Sequence, residues 1–141
     1  MRRKKHATVI SSVTCGEELL PAGVAYVCSA LRRAGWEFDF LDLRGSLDAA
    51  MPPDELLTPF DSPLWMSPQC VEQGEWMDPL LPPLDEVGPL VLFSAAFAPD
   101  LLFHARLSHS LRRQSRGVIT AIGGTAVLPL TEEQLALLGQ F

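Results

Sequence analysis

The sequence predicts an α/β fold, a doubly wound, mostly parallel sheet of about four strands that lacks its last strand or strands. Three observations predict it. The first is Val118-Ile119-Thr120-Ala121-Ile122-Gly123-Gly124-Thr125-Ala126, a short apolar run that stops abruptly at two glycines. Such a run suits a strand covered on both faces. The second is a strand–helix–strand pattern with short loops over the first third of the chain, which implies right-handed, parallel pairing. The third is another apolar run, Leu90 to Phe97, followed at once by a helix led by Pro99 and Asp100.

Taken in order, His6 to Val13 is the first strand, carried by Ala7, Val9, Ile10 and Val13. Thr14-Cys15-Gly16-Glu17-Glu18 breaks that pattern and forms a loop. Pro21 suits the first turn of a helix, where its missing N–H costs little. Val24, Val27, Cys28 and Leu31 then recur at helical spacing on one face. Gly35 ends the helix in the left-handed position. From Trp36 to Leu43, Trp36, Phe38 and Phe40 alternate with Glu37 and Asp39, which marks the second strand. In the helix after the third strand, Phe103, Leu107 and Leu111 lie four apart, Arg112, Arg113 and Arg116 favour its carboxyl end, and Gly117 stops it. Thr131-Glu132-Glu133-Gln134 is a capping box for a last helix, with Leu135 and Leu138 facing inward.

The segment from Gly45 to Pro89 is different in kind. It holds nine of the twelve prolines and nine of the seventeen acidic residues, and no lysine or arginine. It also holds Trp65 and Trp76, which a pure linker lacks. It reads as a proline-rich acidic excursion in the place of a crossover helix, with short helices near Asp54–Leu57 and Gln69–Met77. A loop of that length in a compact domain acts on something or packs on something. Residues 1–141 otherwise form one domain, since 48% hydrophobic content supplies a core. The alternation calls for a fifth strand after Phe141, so the expectation is the front of a longer protein.

Composition narrows the function classes. The net charge is -6, and Arg2, Arg3, Lys4 and Lys5 hold four of the eleven basic residues. Residues 1–5 therefore read as a solvated basic tail, and the acidic remainder argues against nucleic acid. No apolar run reaches a membrane span. The first strand follows the basic start too closely for the two to read as a signal peptide. Cys15, Cys28 and Cys70 form no CxxC pair, so neither a disulfide framework nor a cysteine metal site is expected. The default is a reduced, cytoplasmic setting.

The motifs, taken together, resemble a known family. Pro21-Ala22-Gly23-Val24-Ala25-Tyr26, Leu31-Arg32-Arg33-Ala34-Gly35 and Leu41-Asp42 are similar to the amino-terminal part of cobalamin-binding domains in B12-dependent radical SAM proteins. Phe93-Ser94-Ala95, then Ile122-Gly123-Gly124-Thr125-Ala126 and Leu130-Thr131-Glu132-Glu133, continue the match in order. The resemblance covers nearly all of the chain outside Gly45–Pro89 and implies a Rossmann-like fold. It implies cobalamin as cofactor and a radical SAM catalytic domain in cis, where SAM and a [4Fe–4S] cluster would bind. In the parent enzyme it implies methyl transfer to an unactivated carbon. Two departures are visible. The Asp-x-His-x-x-Gly loop of B12 domains, whose histidine ligates cobalt, is here Thr14-Cys15-Gly16-Glu17-Glu18 with no histidine. The CxxxCxxC signature is absent from the chain.

In an open α/β sheet, ligands sit beyond the carboxyl ends of the strands. The candidate cofactor-binding residues are accordingly Thr14, Cys15, Gly16 and Glu17 after the first strand, Ser94, Ala95, Ala96 and Phe97 after the third, and Gly123, Gly124, Thr125 and Ala126 after the fourth. Ser94, Ala95 and Ala96 are small enough to lie under a corrin ring. Gly123 and Gly124 let a nucleotide tail pass close to the backbone, and Thr125 can hydrogen-bond its polar atoms. Plainer readings stand beside these. Two glycines after a strand also make a simple tight turn. Cys15 has no histidine near it in the motif and reads as an inert loop residue. His104 and His109, five apart, read as surface or edge groups, and His6 as lying at the strand entrance. Glu17 and Glu18 read as solvated. Trp65 and Trp76 pack the excursion or cover the cofactor.

No nucleophile–base–acid set is present, so catalysis is not assigned to the chain itself. One alternative is the amino-terminal half of a GT-B-like glycosyltransferase, which also opens with a strand, a Pro/Gly-led helix and an Ala-Gly helix end. Another is a cofactor-free interaction domain with an exposed apolar sheet edge. A flavodoxin-like electron carrier fits less well, because the first loop lacks a hydroxyl-rich phosphate cradle.

Overall fold

A computed structural model describes residues 5–11, 22–43, 87–115 and 117–140. The expectations for Val13 to Glu18, Pro21, Arg116, the two short helices of the excursion, Trp65 and Trp76 lie outside those residues. The elements are β1 (His6–Ile10), α1 (Ala22–Arg33), β2 (Glu37–Leu41), β3 (Leu90–Ser94), α2 (Ala98–Gln114), β4 (Ile119–Gly123), a 3₁₀ turn (Thr125–Val127) and α3 (Glu132–Leu138). All strand pairs are parallel, in the order β2-β1-β3-β4. Among the described residues the sheet is open, with β2 and β4 at its edges. The architecture is the α/β, Rossmann-like arrangement that the sequence predicts.

Register separates the two faces, because side chains alternate along each strand. Ile10, Leu41, Phe93 and Ile122 align across the sheet on one face, and Val9, Phe40, Leu92 and Ala121 on the other. The predicted ridge of α2 packs on the first face. Phe103, Leu107 and Leu111 are buried against Ile10, Val91 and Phe93 in one cluster, with Leu43 closing it. Burying each such side chain contributes roughly 1.5–3 kcal/mol. The second face is covered less fully. Val24 of α1 is buried, but Val27, expected on the same apolar stripe, is 40% exposed, and Ile119 of β4 is 67% exposed. Cys28 is half-buried and free, and burial raises its thiol pKa above the usual value.

Helix ends follow local chemistry. Gly35 adopts φ +73 after α1, as expected of its left-handed position. The Asp100 carboxylate accepts from the N–H groups of Ala96 (2.8 Å) and Phe97 (3.0 Å), capping the start of α2. At the other end α2 stops at Gln114 with Ser115 extended, before Gly117 is reached. The capping box of α3 forms in both directions: Gln134 N–H donates to the Thr131 hydroxyl (3.2 Å), and Thr131 N–H to the Gln134 side-chain oxygen (2.9 Å). Leu138 packs inward on Ala95, Leu101 and Ala126. Leu135 does not join the core; it is 41% exposed, because the short helix meets the body of the protein along one edge only. Among the described residues no helix is long and apolar enough to cross a membrane.

Two histidines separate sharply. His6 opens β1, and its Nε2 lies 2.7 Å from the Asp39 carboxylate across the strand pair. This contact is largely solvated and contributes little. His104 is not the surface group its spacing suggests. It is fully buried, stacked on Phe93 at 4.9 Å between ring centres, with Phe103 edge-on. Its Nε2 faces the Ser11 carbonyl at 3.1 Å. A carbonyl can only accept, so Nε2 carries the proton. This bond ties α2 to the residue that follows β1. The five-residue offset from His109 says nothing about burial, since His104 lies beside the Phe103–Leu107 ridge.

Burial lowers the pKa of His104 to about 4, against the opposing pull of Asp100 and the bond to Ser11. An unfolded chain would take up that proton near pH 6.5. The folded state therefore holds its full stability above pH 6.5 and loses it as pH falls toward 4, by about 3 kcal/mol in all. Urea unfolding measured across that window should show this slope, and His104→Gln should flatten it.

Candidate functional site

The candidate site is built where β3 and β4 end. Both strands finish in small residues, and their exits are stitched together. Ala95 N–H donates to the Gly123 carbonyl (2.7 Å), Ala126 N–H to the Ala95 carbonyl (3.2 Å), and the Thr125 hydroxyl to the Ala96 carbonyl (2.8 Å). The tips of the third and fourth strands thus form one rigid corner, with the 3₁₀ turn folded back over it. The first tip, Thr14, Cys15, Gly16 and Glu17, lies outside the described residues.

The two glycines have different reasons to be glycine. Gly124 adopts φ +123 with ψ -179, backbone that residues with a side chain avoid. A Cβ there would lie 2.2 Å from the Ala95 carbonyl oxygen. Gly124 is therefore required by the close approach of two backbones. Gly123 has an ordinary φ, and a Cβ there would meet nothing within 4 Å. Its open side faces a groove.

That groove has a volume of about 310 Å³ and runs between α1 and the second face of the sheet. Val9, Leu92, Gly123 and Gly124 form its floor and far end, and Gly23 and Val27 of α1 form its near wall. Among the described residues its one polar side chain is Ser94. Such a volume lies at the small end of ligand pockets. What it offers a ligand is shape and apolar contact, and among the described residues its lining holds no acid–base pair.

The structure divides the predicted residues into three groups. Ser94, Gly123 and Gly124 line the groove. Ala95 and Ala126 are buried with Leu101 in a small core cluster, so they support the corner from beneath and are not the surface of a shelf. Ala96 is half-buried and Phe97 is 51% exposed just after β3, and neither lines the groove. Thr125 donates its hydroxyl proton to Ala96 and keeps only acceptor capacity. Sequence reasoning misses Val9, Gly23, Val27 and Leu92 as parts of the site. A signal for Gly23 is present, a glycine in the first turn of an otherwise well-formed helix. Among the described residues no group of three or more His, Cys, Asp or Glu could hold a metal ion.

The class that the fold defines is an open, Rossmann-like α/β domain with a groove at the carboxyl ends of its strands. Comparison with protein-family models, with curated proteins and with solved structures gives no match to this chain.

The contrast between the glycines has a measurable consequence. Gly124→Ala should destabilise the fold by about 2 kcal/mol or more, through the clash with Ala95 and the strained φ. Gly123→Ala should stay within about 0.5 kcal/mol of the parent. Thermal unfolding of the two variants side by side tests the assignment.

Proposed function

We propose that the chain is a cobalamin-binding module of a B12-dependent radical SAM enzyme. Its motifs resemble those of such domains in order, and the fold is of the kind the resemblance implies. The observation that carries the reading is the groove in which Ser94 and Gly123 meet Gly23 and Val27 beside the strand tips. Cobalamin is a broad, largely apolar disc with amide arms and a nucleotide tail. The residues present fit such a tail: the groove wall is apolar, glycine lies on both sides, and an added Cβ at Gly123 or at Gly23 would meet nothing within 4 Å. On this reading the disc would rest against Ala96 and Phe97, which follow the tip of β3. Bound cobalamin would supply a methyl carrier; SAM and the [4Fe–4S] cluster would belong to a catalytic domain in cis, since the chain has no CxxxCxxC.

Titrating hydroxocobalamin into the purified chain should shift its visible spectrum and give saturable heat. Gly123→Trp should abolish both while leaving the far-ultraviolet dichroism unchanged, because its side chain would enter the groove and not the core. No spectral change and no heat at high micromolar cofactor would sink the proposal.

One observation favours a second reading, a cofactor-free interaction domain. The edge strand β4 exposes Ile119, and Leu128 just beyond it is 82% exposed. An uncharged edge of that kind favours pairing with another chain. This reading expects self-association in multi-angle light scattering, and a monodisperse monomer would count against it.

A further inference from the structure

On the other face of the sheet, α2, β4 and α3 enclose a separate cleft of about 240 Å³. We propose that this cleft binds a small monocarboxylate with a short apolar body. Its walls are apolar: Ile122 of β4, Val127 after it, and Leu135 and Leu138 of α3. Leu135, which does not join the core, borders the cleft from α3. The polar side chains of the described lining are one guanidinium and two hydroxyls. Arg112 stands in the last turn of α2, Ser108 one turn earlier in the same helix, and Thr120 on β4. The Ser108 and Thr120 hydroxyls are hydrogen-bonded to each other at 2.7 Å.

Charge and size then set the ligand class. Among the described residues no Asp or Glu lines the cleft, and none of them competes for the Arg112 guanidinium. An exposed guanidinium and a hydroxyl pair in an otherwise apolar lining call for an acceptor-bearing head on an apolar tail. The guanidinium fork matches a carboxylate through two parallel N–H···O bonds. One arginine and one hydroxyl pair suit a single negative charge better than a phosphate, which takes more donors. The volume equals that of about eight waters, room for a carboxylate on a chain of about five carbons. The cleft lies across the sheet from the cobalamin groove, so binding at one can fail while binding at the other holds.

The test uses hexanoate, with hexanol as its uncharged counterpart, followed by amide shifts in ¹H–¹⁵N spectra of the full chain. Hexanoate should give saturable shifts around Thr120, Arg112 and Leu138, with a Kd on the order of 1 mM for so small a ligand. Hexanol should bind about tenfold more weakly, and Arg112→Gln should cost hexanoate about as much. Arg113→Gln, on the exposed side of α2, should leave binding unchanged. Equal binding of hexanol, shifts confined to the groove between α1 and the sheet, or no saturation with hexanoate would each overturn the proposal. The hexanol arm uses the parent chain, so it decides between the outcomes even if Arg112→Gln fails to fold.

Discussion

The burial of one helical ridge against the two central strands holds the rest of this structure in place. Phe103, Leu107 and Leu111 of α2 cover Ile10, Val91 and Phe93, whereas α1 buries only Val24 on the opposite face. A parallel sheet is stable only when its faces are covered. The ridge covers one face at its centre and so fixes β1 and β3 as neighbours. That adjacency is what brings the strand tips to a common edge. His104 extends the same contact. It is buried beside the ridge, and its bond to the Ser11 carbonyl anchors the helix to the exit of β1, while the apolar setting holds the imidazole neutral.

The second constraint is the close passage of two backbones at the end of β4. Gly124 can turn where it does only because nothing projects from its Cα toward the Ala95 carbonyl. Three hydrogen bonds then join the β3 and β4 exits, and Ala95 and Ala126 become core. The corner is rigid because its backbone polar groups are mutually satisfied. That rigidity gives the groove a fixed end wall. The glycine next to it, Gly123, is left with an open side, and this is where a ligand can approach the chain.

The strands, their order of appearance and most helix boundaries are legible in the sequence. Apolar runs bounded by glycine and proline, a four-residue ridge in α2 and a capping box in α3 are local signals, and local chemistry decides them. Burial is less legible. Val27 and Leu135 lie on correctly spaced apolar stripes, yet both stay exposed, because periodicity gives the direction of a side chain and not whether anything stands opposite. His104 departs from its expected place for the same reason. Its distance from His109 along the helix carries no information about Phe93, which stacks on it from a strand eleven residues earlier in the chain.

The sequence by itself determined that the chain alternates strand and helix, that its strands run parallel, and that small residues gather where β3 and β4 end. These follow from side-chain periodicity, turn chemistry and the handedness of short connections. Only the tertiary structure decided which of those small residues line the groove and which face the core. Ala95 is buried and Ser94 lines the groove, although they are adjacent in the chain. A single step reverses the face of an extended backbone, and what lies across that face is supplied by segments distant in the sequence.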